Sequence, residues 1–287
     1  MSHITIDQTR CRACGICIQE CPVLTLRADA NGRPVQQDAD TCIDCGRCVA
    51  LCPQPGAITH AAYEPAQFVA LQPDLLPDAE AVIELLRARR SVRAFKTQPL
   101  DRALISTMIE GAQLAPSSHN TRSTQVVVVQ DAALLEQIGE QTRVFLAQPL
   151  NLLKNPVGRR IGLLVARREV EESLPLMAEF ERFVEQGDDP ILHHAPALLI
   201  FHAPRANSFG AMNAALVMSN AMLIGQSLGV GSLCIGTIMA ACKRDRTIAN
   251  LLHLPAENQI YGALAVGYPR FRAPLWVKRP QPDVVWM

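Results

Sequence analysis

The 287-residue chain has no excess of charge of either sign, since 27 Lys and Arg balance 27 Asp and Glu. A broad basic surface for nucleic acid is therefore not expected. An export leader is also not expected. Met1-Ser2-His3-Ile4-Thr5-Ile6-Asp7 has neither a basic n-region nor an apolar h-region. The cytoplasm is then the expected compartment, and an extracellular disulfide framework is not. No uninterrupted apolar run is long enough for a membrane span. The longest apolar stretch, Ala211 to Ala241, is interrupted by Asn213, Asn220 and Gln226 and broken from Gly229 to Ser232. It reads as a buried helix followed by a turn and a short strand. Finally, no G-x-G-x-x-G opens a helix after a strand, so a Rossmann dinucleotide site has no support.

What the chain does have is cysteine in a doubled pattern. Cys11-x2-Cys14-x2-Cys17-x3-Cys21-Pro22 is followed by Cys42-x2-Cys45-x2-Cys48-x3-Cys52-Pro53. Two structural zinc sites would need four separate C-x2-C pairs and no third cysteine at the next x2 step. The spacing instead fits two cubane iron-sulfur clusters, with three thiolates of each run on one cluster and the fourth on the other. On that rule Cys11, Cys14, Cys17 and Cys52 hold the first [4Fe-4S] cluster, and Cys42, Cys45, Cys48 and Cys21 the second. Of ten cysteines, Cys234 and Cys242 remain. Both read as small core residues.

Length suits a small module joined to one of about 200 residues. The expected division is 1–62 for a two-cluster ferredoxin-type domain, 63–77 for a proline-containing linker and 78–287 for a larger domain. Within the first, each cysteine run precedes a β-prone stretch, Val23 to Arg27 and Ala57 to His60. So small a module has little hydrophobic core, and the clusters must serve as one. Pro65, Pro73 and Pro77 mark the linker, because proline lacks an amide hydrogen and resists regular structure.

Beyond Asp78 helices and strands alternate. Asp78 is a candidate N-cap for a helix over Ala79 to Arg90, with Val82, Ile83, Leu85 and Leu86 on one face. Asp101 is another, for Arg102 to Leu114, with Leu104, Ile105, Met108, Ile109 and Ala112 inward. Strands are expected over Gln125 to Val129, Ala197 to His202 and Ile260 to Val266. Further helices are expected over Asp131 to Thr142, Phe209 to Leu228 and Arg244 to Leu252. The fold class is α+β, a sheet covered by helices. From Gly139 to His194, Pro149, Pro156, Pro175 and Pro190 separate apolar pieces bearing Met177, Phe180 and Phe183. This stripe reads as a core helix in preference to a substrate lid. His193 and His194 lack a carboxylate at ligand spacing and read as structural.

Several segments of this larger part carry chemistry. Arg89-Arg90-Ser91-Val92-Arg93 gathers guanidinium forks and a hydroxyl at a helix end, a phosphate-binding combination that also complements a helix dipole. Lys278-Arg279 adds two cations near the C-terminus. Ala115-Pro116-Ser117-Ser118-His119-Asn120 is a polar loop suited to the edge of a planar heterocycle, or a plain turn. Gly229 to Gly236 permits close approach of backbone to a ligand.

Taken in order, these segments resemble the nitroreductase family of FMN-dependent flavoproteins. The resemblance runs from about Asp78 to Met287 and includes Gly267-Tyr268-Pro269, the turn after the last core strand. It implies a nitroreductase-like α+β sandwich. It assigns the FMN phosphate and ribityl chain to Arg89, Arg90, Ser91, Arg93, Lys278 and Arg279, and places Cys234, Ile235 and Gly236 along the flavin. It also implies a homodimer in which Pro116, Ser117, Ser118 and Asn120 complete the partner's flavin site, with the Phe209 to Leu228 helix at the dimer core. Arg122-Ser123-Thr124 departs from the family's usual Gln-Pro-Trp.

The expected function is an oxidoreductase passing electrons between two [4Fe-4S] clusters and FMN. An external low-potential donor would charge the clusters, and a nitro-aromatic, quinone or activated double bond would be the small acceptor. The flavin does the chemistry, so no catalytic side chain is expected. Two alternatives stand beside it: an electron-transfer adaptor docking to a larger redox complex, and NAD(P)H-driven flavin reduction with the clusters as acceptors.

Overall fold

The structure is a computed structural model that describes residues 3–165, 168, 182–183 and 185–287. It divides into two compact units, one running up to Leu76 and including Ser117–Thr121, the other comprising Pro77–Pro116 and Arg122–Met287.

The first unit is a repeat written in short elements. Strand β1 (Ile4–Ile6) precedes helix α1 (Ile16–Gln19), and strands β2 (Leu26–Ala28) and β3 (Pro34–Gln36) follow it. Helix α2 (Arg47–Ala50) and strand β4 (Ile58–His60) complete the pattern. β1 pairs antiparallel with β4, placing Ile4 opposite His60 and Ile6 opposite Ile58, and β2 pairs with β3. Each cysteine run turns into its helix through the same backbone device. Ala13 and Asp44 lie at φ 51 and 48, and Gly15 and Gly46 follow at φ 76 and 68. Gly46 is doubly constrained: a Cβ there would meet the Tyr63 ring at 3.2 Å, besides the cost of a left-handed conformation. The buried core of this unit is Ile4, Cys17, Leu26, Cys48 and Ile58. Two of those five are cysteines, too little apolar surface for a module of this length. The proline-rich stretch expected as a linker instead closes this unit, forming two 3-10 turns, Pro65–Gln67 and Pro73–Leu75.

The second unit is built on a four-stranded antiparallel sheet. Helices α3 (Ala79–Ala88) and α4 (Arg102–Ala112) precede strand β5 (Gln125–Val129), helices α5 (Ala132–Lys154) and α6 (Pro156–Val165), and strand β6 (Ala197–Pro204). Then come helix α7 (Gly210–Ser227), strand β7 (Gly231–Cys234), helices α8 (Gly236–Arg244) and α9 (Thr247–Leu251), and strand β8 (Asn258–Gly267). The strand order is β5-β6-β8-β7. Alternation along the central strands makes two cores, as a pleat of period 2 requires. Leu198, Ile200, Ala263 and Ala265 face one with Ile138 of α5 and Ile238 of α8. Ala197, Leu199, Phe201, Leu264 and Val266 face the other with Ile105 and Met108 of α4 and Val217 of α7. β6 is covered on both sides, which explains its continuous apolar run.

Several expectations need correction. α5 does not stop at Thr142 but continues to Lys154; the Thr142 hydroxyl is satisfied inside the helix by the Ile138 carbonyl at 2.8 Å. The stretch expected as one helix from Arg244 is preceded by α8, hidden in the sequence behind a glycine-rich opening, and continues only as the short α9. Asp78 caps α3 by accepting from the Ala81 amide, whereas the Asp101 side chain makes no cap bond and only its carbonyl accepts, from Ile105. The apolar face of α3 is not buried: Val82, Ile83 and Leu86 are 41%, 45% and 52% exposed. Pro175, Met177 and Phe180 of the Gly139 to His194 stretch lie outside the described residues. Among the described residues no helix is long and apolar enough to cross a membrane.

Gly267 closes β8 against two rigid groups, since an added Cβ would lie 2.6 Å from Pro196 Cδ and 2.8 Å from Phe95 Cδ1. Gly267→Ala is expected to lower stability by about 1–3 kcal/mol through overpacking. Denaturant unfolding of the purified variant checks it; an unchanged midpoint would contradict the packing described.

Candidate functional site: two cysteine cages and a cationic strand edge

The eight motif cysteines gather into two groups. One cavity is lined by Cys11, Cys14, Cys17 and Cys52, with Ile16 and Ile58 as apolar wall. The other is lined by Cys21, Cys42, Cys45 and Cys48, with Leu26 and His60. Each therefore takes three cysteines from one run and the fourth from the other. The turn at Pro22 or Pro53 carries that last sulfur across. None of the cysteines is in a disulfide.

The electrostatics state what such a cage needs. Burial raises the Cys17 thiol pKa, and neighbouring Cys14, Cys11 and Cys52 raise it further. Burial likewise raises Cys42, and pushes Cys48 up to about 12 with Cys45 adding to the effect. Four thiols this close cannot all ionise in a sheltered site on their own, because each thiolate penalises the next. Bound cations reverse that logic. An all-sulfur donor set of four around one cavity, twice over, fits an iron-sulfur cube in each.

Around the second cage lies a polar group that sequence reasoning missed. His60, 4% exposed, sets Nε2 3.5 Å from Cys42 Sγ and 3.5 Å from Asp44 Oδ1. Asp44 Oδ1 also accepts from His3 Nδ1 at 3.1 Å, and the Asp44 carbonyl accepts from the Tyr63 hydroxyl. Cys42, Asp44 and His60 are the one trio of His, Cys, Asp or Glu among the described residues whose donor atoms lie within reach of a single ion. Cys42 already belongs to the second cage, so that trio is read as support for the cage and not as a separate metal centre.

Segments of the second unit meet at the β7 edge of the sheet. The chain after α3 runs beside β7, with Ser91 bridged to Ser232 and the Val92 amide donating to the Ser232 carbonyl at 3.0 Å. Phe95 is bridged to Pro269 further along. Arg89 and Ser91 are thereby brought to the strand that ends at Cys234. Arg89 is close enough to lower the Cys234 thiol pKa, though desolvation raises it more. Cys234 is exposed, which corrects its reading as a core residue: it ends an edge strand and leaves the sheet. Cys242 is partly buried against the core, and burial pushes its thiol up to about 12. Ile235 is buried, while a Cβ on Gly236 would meet nothing within 4 Å. The first turn of α8 therefore opens onto free space.

Other residues assigned to the same ligand are placed elsewhere. Arg90 is exposed at the end of the α3 segment, and Arg93 acts on His193, whose pKa burial lowers most. His193 and His194 do have a carboxylate nearby. Asp189 accepts from the main-chain amides of Ile191, Leu192 and His194, an arrangement that shapes the turn. Lys278 and Arg279 are exposed in an extended tail. That tail is held where Trp276 packs under the Arg87 guanidinium, 4.8 Å from the ring centroid. Pro116 stays with the second unit, but Ser117, Ser118 and Asn120 belong to the first. There Asn120 Nδ2 donates to the carbonyls of Ile43 and Asp44 at 3.1 and 2.7 Å, inside the second cysteine run. In the departing segment, Ser123 Oγ accepts from Asn207 at 2.7 Å and Thr124 is buried. A cavity of about 720 Å³ is lined by residues such as Gln130, Glu136, Arg143, Asp189 and His194 and by none of the cationic edge.

Comparison with known proteins agrees with this layout. Residues 86–268, more than half the chain, match the nitroreductase family, and residues 3–53 match a 4Fe-4S dicluster domain. The chain belongs to the nitroreductase family and carries an N-terminal 4Fe-4S dicluster domain. It is 25% identical over 203 residues to an FMN reductase [NAD(P)H] of Bacillus subtilis, covering 71% of this chain and 72% of that one. It is 27% identical over 208 residues to a 4-nitrobenzoate reductase of Pseudomonas putida, covering 68% and 86%. In fold it is similar to a nitroreductase with bound FMN from Bacteroides fragilis, with TM-score 0.53 and 22% identity over 72% of this chain and 97% of that one.

The crossed composition of the cages makes an asymmetric prediction. Cys52→Ala should remove the first cluster although Cys11, Cys14 and Cys17 remain, roughly halving bound iron. Iron analysis with electron paramagnetic resonance of the reduced protein checks this; a retained full complement would contradict the crossed ligand set.

Proposed function

We propose that the protein is a ferredoxin-linked, FMN-dependent oxidoreductase that passes electrons between its two [4Fe-4S] clusters and FMN and reduces a small acceptor. A nitro-aromatic, a quinone or an activated double bond is the acceptor class. The observation that carries the reading is the pair of four-cysteine cages on the same polypeptide as a nitroreductase-family domain. When bound, FMN supplies the exchange between one-electron and two-electron chemistry that the clusters lack.

The chain's own residues have defined tasks in this reading. Arg89 and Ser91, held beside β7, bind the phosphate end, with Arg90, Arg93, Lys278 and Arg279 adding positive charge. Cys234, Ile235 and Gly236 orient the flavin edge, and the open first turn of α8 leaves room for it. Pro116, Ser117, Ser118 and Asn120 complete the flavin site of the partner subunit. The protein acts as a homodimer, which accounts for the exposed apolar face of α3 and for exposed Leu275 and Trp286 in the tail. Joining both redox centres in one chain replaces diffusional encounter with a high effective concentration. The donor is an external low-potential carrier, and the compartment is the cytoplasm, where thiols stay reduced.

A second reading, in which NAD(P)H reduces the flavin and the clusters accept electrons, is favoured by the nicotinamide-linked name of the Bacillus subtilis relative. Anaerobic mixing separates the two. A ferredoxin-level donor should bleach the clusters first and the flavin next, while NADH and NADPH bleach the flavin slowly. Clusters that bleach while the flavin stays oxidised would refute the internal route, and fast bleaching by a nicotinamide would establish the second reading.

A further inference from the structure

The two cages are built alike in their main chain and differently in their side chains. In the first, the Ala13 amide donates to Cys11 Sγ at 3.4 Å. In the second, the Asp44 amide makes the equivalent bond to Cys42. To this the second cage adds His60, and no histidine lines the first. Two residues past Ile58 the chain has His60, whereas two residues past Leu26, the matching wall of the other cage, it has Ala28.

The tautomer of His60 follows from its other nitrogen. Nδ1 accepts from the Ala62 main-chain N–H at 3.2 Å. A main-chain amide can only donate, so the neutral ring carries its proton on Nε2. The Nε2 proton has two acceptors at 3.5 Å, Cys42 Sγ and Asp44 Oδ1. For an oxygen that separation lies outside the good range of about 2.7–3.2 Å, whereas the larger sulfur atom makes it a bonding distance. The proton therefore belongs to the sulfur.

We propose that His60 is a positioning residue for the second cluster: its Nε2–H bond to Cys42 Sγ raises that cluster's reduction potential and makes it the electron sink of the pair. Reduction places one more negative charge on the cube and its thiolates, and a buried donor to a ligand sulfur stabilises that charge more than the oxidised state. The inference rests on the two-cluster assignment and is independent of the flavin.

The test is an anaerobic redox titration of the full chain followed by electron paramagnetic resonance. Wild-type protein should show two midpoints. His60→Leu should lower one by about 59 mV, a tenfold change in the equilibrium constant for one electron, and leave the other in place. His60→Gln, which keeps an N–H donor, should recover most of the shift. Unchanged midpoints in H60L with full cluster iron, or an equal shift in H60Q, would overturn the proposal. Should H60L lose cluster iron, wild-type protein carrying 15N-imidazole histidine decides: nitrogen coupling to one reduced cluster is expected, and its absence overturns the assignment. Protein without iron would instead refute the cluster reading itself.

Discussion

Everything in the first unit depends on making four thiolates coexist around one small cavity, twice. The thiols themselves resist it. Desolvation leads the upward shifts of Cys17, Cys42 and Cys48, and neighbouring cysteines add to them. Only cationic metal inverts that balance, so cluster binding and folding of this unit are one event. The near absence of other core is consistent with this, because Ile4, Leu26 and Ile58 alone cannot order so many residues.

The second unit obeys different rules. Its central strands β6 and β8 are buried on both faces, and two helical layers complete two apolar cores. Arg89, Ser91 and Cys234 of the proposed flavin site meet at the β7 edge, where a strand end, a helix start and an Arg-rich segment converge. Edge placement matters physically, since backbone groups there are available to a ligand without breaking the ladder.

Much of this was legible in the sequence because the signals are local. Cysteine spacing encodes ligand sets, and β5 spans the residues expected of it, Gln125–Val129, a run of β-branched valines. α4 and α7 follow the apolar period to within two residues at each end. What was not legible depends on contacts between distant parts of the chain. The His3, Asp44 and His60 group exists because β1 pairs with β4, a register no single segment specifies. The turn chemistry of Ser117 to Asn120 was readable, but not that Asn120 bonds the carbonyls of the second cysteine run. Exposure of Val82, Ile83 and Leu86 was likewise invisible, because a helical apolar stripe reports a burial partner without saying whether it lies in the same chain. Cys234 was misread because strand composition does not reveal which strand is at the edge.

The central claim is that the eight thiolates hold iron cubes on the same chain as an FMN-binding domain. Its most direct test is a stoichiometric count of iron, acid-labile sulfide, zinc and FMN in the full chain purified without air. The account predicts about eight iron and eight sulfide per chain, with about one FMN. Protein carrying zinc in place of iron, with no labile sulfide, would contradict it.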